Sequence, residues 1–171
     1  MTDKKIILLT GTPGTGKTTA AKQLRSNYKV IHLTQFIKEN NLGTKDGEIE
    51  VEIDKLEKEI NKTVQNLGAE KILVEGHLAH YLDGDHCIVL RLKPELLEER
   101  LKHREYSMDK ISENVEAETM DLILSEAVSR NQNVHEIDTT GMDVEDVVYE
   151  ISNSIEEEKC SVGTVDWTDS L

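Results

Sequence analysis

One segment near the N-terminus constrains the fold more than any other part of the chain. Residues 11–18 match the pattern G-x-x-x-x-G-K-S/T at every fixed position. An apolar run from Lys5 to Thr10 precedes them, and a helical pattern begins at Lys17. Glycines let the backbone turn its N–H groups towards a phosphate without a Cβ in the way, and the helix adds its positive end. The segment therefore predicts a phosphate-binding loop between a strand and a helix.

This loop supplies most of the candidate nucleotide-binding residues. Lys17 provides a mobile cation for the outer phosphates, and Thr18 provides a hydroxyl ligand for Mg²⁺. The side chains of Thr12, Pro13 and Thr15 are expected to shape the loop rather than to take part in the chemistry. We therefore predict a nucleoside triphosphate and Mg²⁺ as ligands. The candidate binding residues in the loop are Gly11, Gly14, Thr15, Gly16, Lys17, Thr18 and Thr19.

Apolar runs alternate with helical patterns along the rest of the chain. The runs predict five strands, which are Lys5 to Thr10, Tyr28 to His32, Lys71 to Glu75, His86 to Arg91 and Val134 to Asp138. Strands separated by helices need crossover connections, which favour a parallel sheet covered on both faces. We expect one domain over residues 1–171, with a three-layer α/β P-loop NTPase fold around a five-stranded parallel sheet.

The helical patterns lie between the predicted strands. Predicted helices cover residues 17–27, 34–40, 50–67, a segment that starts at Pro94, about 109–130, and 143–158. The pattern at 50–67 is amphipathic because its apolar residues recur every three or four positions. The last segment, about 160–171, is small, polar and acidic, which predicts a flexible, loosely held tail.

Charge and composition limit the partners. The chain has 34 acidic and 20 basic residues and a formal net charge of −14, so we expect no direct strong nucleic-acid binding. This charge suits a basic protein partner, or it serves solubility alone. The two cysteines, Cys87 and Cys160, lack metal-ligand spacing and fit a reducing compartment. The run from Ile6 to Leu9 is too short for a membrane span, so we expect a cytoplasmic protein without membrane contact.

Two arginines on one helical pattern are candidate catalytic residues. Arg100 and Arg104 are four residues apart and share a helix face. A planar guanidinium suits the charge that develops on a transferring phosphoryl group. A solvated face with ordinary ion pairs to neighbouring glutamates is the alternative. Arg91, at the end of the fourth strand, is a secondary candidate.

The end of the third strand offers a carboxylate and an imidazole. Glu75 is placed to orient a water bound to Mg²⁺ or an attacking water. His77 faces the crevice in which ligands bind in such sheets, although a structural, hydrogen-bonded histidine is the alternative. His80, His86 and His135 lack this context and are expected to be structural.

Five stretches together match one known family. They are Gly11 to Thr19, Glu75 to His77, Glu99 to Tyr106, Glu113 to Val115, and Val134 to His135. They resemble the adenylate kinase isoenzyme 6 family, and the likeness extends over nearly the whole chain except its final dozen residues. The resemblance implies a nucleoside monophosphate (NMP) kinase fold with a short lid. It also implies phosphate transfer between ATP and AMP or another NMP, together with ATP hydrolysis.

The same resemblance implies a cellular role and several residue roles. The family acts in late maturation of the small ribosomal subunit and its rRNA, and binds the small-subunit ribosomal protein of the S11 type. By resemblance, the NMP-binding region is about 32–56, the lid is about 103–113, and Arg104 contacts ATP. Backbone groups near Gly141 are expected to touch the adenine ring.

The chain departs from the family pattern at two positions. Glu75 stands where much of the family has Asp, and its extra methylene shifts the carboxylate. Lys38 stands where the family usually has Arg, so it offers charge to the monophosphate without a bidentate fork.

Two alternatives to an NMP kinase remain. One is a nucleotide-switched ribosome assembly factor, in which ATP hydrolysis is the main activity. The other is a small-metabolite kinase of the shikimate type. That class would place two carboxylates after the second strand, where this chain has His32 to Gln35 without one.

Overall fold

A computed structural model describes residues 4–43 and 49–170, and the statements below refer to these residues. Within them, five parallel strands form one sheet in the order β2–β3–β1–β4–β5. The strands are β1 (Lys5–Gly11), β2 (Lys29–His32), β3 (Lys71–Glu75), β4 (His86–Arg91) and β5 (Val134–Asp138). The five predicted strands are therefore confirmed to within one residue at each end.

The described residues also form seven α-helices. They are α1 (Lys17–Gln23), α2 (Leu33–Glu39), α3 (Ile53–Asn66), α4 (Pro94–Lys102), α5 (Met108–Thr119), α6 (Leu122–Arg130) and α7 (Val144–Glu156). Short 3₁₀ turns lie at Leu24–Ser26, Ala79–Tyr81 and Thr168–Ser170. None of the helices in the described ranges is long and apolar enough to pass through a bilayer.

The central strand β1 shows how the sheet acquires two covered faces. Successive side chains of a strand point to opposite faces. Leu8 packs on one face with residues of α2, α3 and α6, whereas Ile7 and Leu9 pack on the other face with residues of α1 and α7. All three leucine and isoleucine side chains are fully buried. The result is the predicted three-layer α/β fold.

The single helix predicted for about 109–130 is wrong. The chain forms α5 and α6 instead, and Asp121 between them has a left-handed φ of 54°. Aspartate adopts this conformation at lower cost than most residues. The carboxylate of Asp121 accepts a hydrogen bond from Arg91, which Glu118 of α5 also binds. A tertiary partner therefore stabilises a break that the helical periodicity conceals.

The C-terminal segment, for which we expected a loosely held tail, contacts the core at several points. The carbonyl of Ser161 accepts a hydrogen bond of 3.0 Å from the N–H of Glu136 in β5. Val165 is buried, and the indole N–H of Trp167 donates to Glu118 at 3.2 Å. The strand β5 is an edge strand, so its outward N–H and C=O groups need partners. The Ser161 carbonyl supplies one of them, for the N–H of Glu136.

Candidate active site

The phosphate loop joins β1 to α1, and its glycines are required by both conformation and packing. Gly11 has a φ of 143°, and a Cβ there would lie 2.5 Å from the carbonyl oxygen of Leu90. Gly14 has a φ of 98°, and its Cβ would lie 2.9 Å from a methyl of Leu97. The loop therefore lies too close to β4 and α4 for side chains at these positions.

Lys17, the first residue of α1, has its ammonium inside the loop. Nζ donates to the carbonyl oxygens of Gly11 at 2.7 Å and Thr12 at 3.0 Å. The residue is only 7% exposed. Burial lowers its pKa to about 8, although the nearby Glu75 carboxylate opposes this change. The loop therefore contains a desolvated cation whose present partners are weak neutral acceptors, so an anion would be a stronger partner.

A chain of four hydrogen-bonded side chains starts at Thr18 of α1, passes through the ends of β3 and β2, and finishes at Arg25. The Thr18 hydroxyl donates to the two carboxylate oxygens of Glu75, at 3.1 and 3.4 Å. His32 Nδ1 lies 2.6 Å from Glu75 Oε1, and its Nε2 lies 2.8 Å from an Arg25 nitrogen. A guanidinium can only donate, so Nε2 accepts and the imidazole proton resides on Nδ1. His32 therefore donates to Glu75 and holds its carboxylate towards Thr18.

The contact between His32 and Glu75 was not predicted from the sequence. His32 was noted as the end of a strand and the start of the NMP-binding region, without a role for its side chain, and Arg25 was not singled out. The signal lies in the register of the sheet, which sets His32 of β2 directly beside Glu75 of β3. Strand order decides this pairing, and the motif alone does not contain that information.

A cleft of about 1000 Å³ opens at the carboxyl edge of the sheet. It brings together most of the predicted site residues from the loop, α2, the end of β3 and the turn after α4. The predicted residues that line it are Gly14, Gly16, Lys17, Thr18, Thr19, Lys38, Glu75, His77 and Arg104. Lys38 and Arg104 are both exposed. Lys38 lies on α2 after β2 and Arg104 follows α4 after β4, so they come from opposite sides of β1 in the sheet.

Four predicted site residues are outside the described lining of this cleft. Gly11 and Thr15 are buried within the loop itself. The Arg100 guanidinium donates to the carbonyl oxygen of Gly14 at 3.2 Å, so it braces the back of the loop. Gly141 forms a turn after β5 with a φ of 76°. The roles predicted for Arg100 and Gly141 remain predictions.

His77 and His80 have different surroundings although they are three residues apart. His77 is half-buried in the cleft, where burial and then the Lys17 charge lower its pKa to about 4. It is therefore neutral at physiological pH. His80 is buried between the hydroxyl of Thr10 at 2.8 Å and the carboxylate of Glu126 at 3.0 Å. His77 is thus the one of this pair that is available to a ligand.

Arg91 has a structural position instead of the place beside the nucleotide that we considered. Its guanidinium is 1% exposed and bonds to Glu118 at 2.8 Å, to Glu136 at 3.0 Å, and to Asp121. A buried charge is tolerated only when it is paired in this way. The arginine therefore ties α5 and the start of α6 to β4 and β5, behind the loop.

Comparison with known proteins agrees with this geometry. A family model described as "AAA domain" matches residues 7–121. Proteins named "Putative adenylate kinase" are similar over nearly their full length. The one from Pyrococcus furiosus is 47% identical, covering 95% of this chain and 91% of that protein. The one from Methanocaldococcus jannaschii is 42% identical, covering 95% and 93% respectively.

Solved structures with the same fold include two shikimate kinases. The enzyme from Acinetobacter baumannii in complex with shikimate has a TM-score of 0.65 and 18% identity, covering 94% of this chain and 97% of that one. The enzyme from Bacteroides thetaiotaomicron has a TM-score of 0.61 and 17% identity, covering 89% and 98%. At these identities the likeness shows the fold alone. The full-length similarity to the archaeal proteins shows more: this chain belongs to their adenylate kinase-like family of P-loop NMP kinases.

Proposed function

We propose that the protein is an NMP kinase, mainly an adenylate kinase, which converts ATP and AMP into two molecules of ADP. The observation that carries the proposal is the cleft, which combines the phosphate loop with Lys38 and Arg104. Transfer between two nucleotides requires both phosphate groups to meet in one enclosed space. The names of the archaeal relatives support the same reaction class.

The loop would bind the donor phosphates. Its N–H groups and the N-terminus of α1 favour anions. The Lys17 ammonium would exchange the carbonyls of Gly11 and Thr12 for phosphate oxygens, which are stronger partners. Arg104 would bind the charge that develops on the transferring group, while Arg100 would hold the loop through Gly14.

Thr18 and Glu75 fit a site for Mg²⁺. Both offer hard oxygen ligands, and the exposed hydroxyl of Thr18 is oriented by a carboxylate that His32 holds from behind. When bound there with the nucleotide, Mg²⁺ would neutralise negative charge on the phosphate oxygens. Thr18 would hold the ion, and Glu75 would orient Thr18 and nearby water.

Lys38 would bind the acceptor phosphate. It lies on the exposed side of α2 and lines the cleft. A single ammonium lacks the two-pronged geometry of arginine, so we propose that AMP binds more weakly and less selectively than it would to an arginine. Residues 44–48 of the predicted NMP-binding region lie outside the described residues. The role of Gly141 near the adenine ring belongs to the same proposal.

A second candidate function is ATP hydrolysis in an assembly factor. Neutral His77 lines the same cleft as Lys17, where it is able to accept a hydrogen bond from an attacking water. The family resemblance supports a role in small-subunit maturation with a ribosomal protein of the S11 type, and the net charge of −14 suits a basic partner. In that case His77→Ala should lower hydrolysis about tenfold or more and leave transfer to AMP within about threefold.

Coupled measurement of ADP production separates the two functions. We expect ATP turnover to rise strongly when AMP is added, and Lys17→Ala to abolish turnover with and without AMP. Lys62→Ala is the matched control, because Lys62 is an exposed lysine on α3 that pairs loosely with Glu59 at 3.9 Å. ATP turnover that is indifferent to every monophosphate would reject the kinase as the main activity. Full ATP turnover by Lys17→Ala would show that the phosphate loop is not the nucleotide site.

A further inference from the structure

Glu118 of α5 connects three distant parts of the chain through one carboxylate. Oε2 accepts a hydrogen bond of 2.7 Å from the hydroxyl of Thr12, the second residue of the phosphate loop. Oε1 accepts from Arg91 Nε at 2.8 Å, and from the Leu92 N–H and the Trp167 indole N–H, each at 3.2 Å. Glu118 is 3% exposed. Its carboxylate is therefore oriented from both sides and is in direct contact with the loop.

On the loop side, Thr12 links Glu118 to Lys17. Thr12 is 1% exposed. Its carbonyl oxygen accepts hydrogen bonds from Lys17 Nζ at 3.0 Å and from the Thr15 hydroxyl at 2.8 Å. Because the Thr12 side chain is held by a carboxylate, its hydrogen bond is of the stronger, charge-assisted kind. A displacement of Glu118 would therefore displace the residue that holds both Lys17 and Thr15.

On the other side, the carboxylate is held by the C-terminal segment. Trp167 is the only tryptophan in the sequence, and its half-buried ring lies against Glu118. The backbone N–H of Val165 donates to Glu136 at 3.2 Å, and Glu136 in turn binds Arg91. Residues 161–167 thus contact Glu118 and Glu136, two of the three carboxylates that bind the buried Arg91.

We infer that Glu118 is a positioning residue for the phosphate loop, and that residues 161–167 belong functionally to the nucleotide site because they hold Glu118 in place. The inference rests on the proposed nucleotide-binding function of the loop. A loop that is already ordered loses less conformational freedom when it binds a ligand. The alternative is that Glu118 serves only to neutralise Arg91, and that its contact with Thr12 contributes nothing to binding.

Substitutions at Thr12 distinguish these alternatives because they leave Arg91 and its partners untouched. Thr12→Val keeps the shape of the side chain and removes the hydroxyl. Thr12→Ser retains the hydroxyl and removes only the methyl group. We expect Thr12→Val to weaken Mg-ATP binding in calorimetry about tenfold and Thr12→Ser to bind within about twofold of wild type. The KM for ATP should rise with the Kd, while kcat at saturation changes less than about threefold. Wild-type affinity in Thr12→Val would overturn the inference.

Trp167→Phe tests the contribution of the C-terminal segment. Phenylalanine keeps an aromatic ring and removes the indole N–H that reaches Glu118. We expect Mg-ATP binding to weaken about threefold, because Arg91 still holds the same carboxylate oxygen. Combining Trp167→Phe with Thr12→Val should add little to the loss in Thr12→Val alone, since both act through Glu118. Fully additive losses would show that the segment does not act through Glu118.

Hydrogen exchange provides a measurement that does not depend on nucleotide. The Thr15 N–H is bonded to the Thr12 carbonyl at 3.2 Å. We expect it to exchange about tenfold faster in Thr12→Val than in wild type or Thr12→Ser, with the amides of β1 unchanged. Equal exchange would overturn the inference whatever the nucleotide does. If wild type itself bound no Mg-ATP in calorimetry, the proposed function would fail, and the exchange rates would still decide whether Glu118 positions the loop.

Discussion

His32 Nδ1 lies 2.6 Å from Oε1 of Glu75, because the parallel register of β2 and β3 sets the two residues side by side. The Glu75 side chain has one more rotatable bond than an aspartate would have at this position. The hydrogen bond from His32 restricts that freedom and leaves the carboxylate in contact with the Thr18 hydroxyl. The histidine thereby gives a long carboxylate the fixed direction that the proposed Mg²⁺ site would require.

Removal of the His32 donor should impair the use of Mg²⁺. We expect His32→Ala to lower kcat about tenfold and to raise the Mg²⁺ concentration needed for half-maximal ADP production several-fold. His32→Asn is the matched control, because its amide nitrogen occupies nearly the position of Nδ1 and is able to donate to Glu75. An unchanged Mg²⁺ dependence in His32→Ala would show that His32 does not contribute to the use of Mg²⁺.

The buried ammonium of Lys17 should lower the free energy of unfolding, although the proposed function requires it. Burial lowers its pKa from 10.5 to about 8. Below pH 8, folding therefore carries the full cost of a buried ammonium, and we expect Lys17→Met to be inactive but more stable at pH 7, on the order of 1 to 3 kcal/mol. Between pH 8 and 10.5 the unfolded chain binds more protons than the folded one, so the stability of wild type should rise relative to the variant.

Urea unfolding of both proteins at a series of pH values measures this difference. The stability gap between Lys17→Met and wild type should narrow from pH 8 and be lost near 10.5. A gap that is independent of pH would show that burial does not perturb Lys17.

Arg104 should contribute to transfer rather than to folding. It is exposed in the turn after α4 and lines the cleft. We expect Arg104→Ala to lower kcat about a hundredfold or more and Arg104→Lys to recover part of the loss, because a lysine restores the charge without the planar fork. Lys102→Ala is the control, since Lys102 is an exposed cation two residues away that pairs with Glu98 at 2.7 Å. Similar losses in Lys102→Ala and Arg104→Ala would indicate a general effect of charge.

Arg91 should contribute to stability. Its removal leaves the buried carboxylates of Glu118 and Glu136 without their cation. We therefore expect Arg91→Met to lower the free energy of unfolding by about 3 to 5 kcal/mol. Circular dichroism in a urea titration provides the measurement. Lys62→Met on the surface should change stability by less than about 0.5 kcal/mol. A comparably small effect of Arg91→Met would mean that the carboxylates are satisfied without it.

Local patterns predicted the strands and the phosphate loop, and they failed where a distant partner decides the outcome. The strands were predicted because buried parallel strands are short apolar runs. The break between α5 and α6 was missed because Asp121 turns towards Arg91, which lies thirty residues earlier. Arg91 was a candidate for the site because it ends a strand, but the carboxylates around it come from α5, β5 and the residue before α6.

The amino-acid sequence by itself determined that a phosphate-binding loop lies between a strand and a helix, and that parallel strands surround it. Spacing and periodicity are local properties, so they are visible along the chain. The tertiary structure alone decided which side chains support that loop. His32 meets Glu75 across 43 residues, and Thr12 meets Glu118 across 106. Such contacts depend on strand order, register and helix packing, which arise only when the whole sheet is assembled.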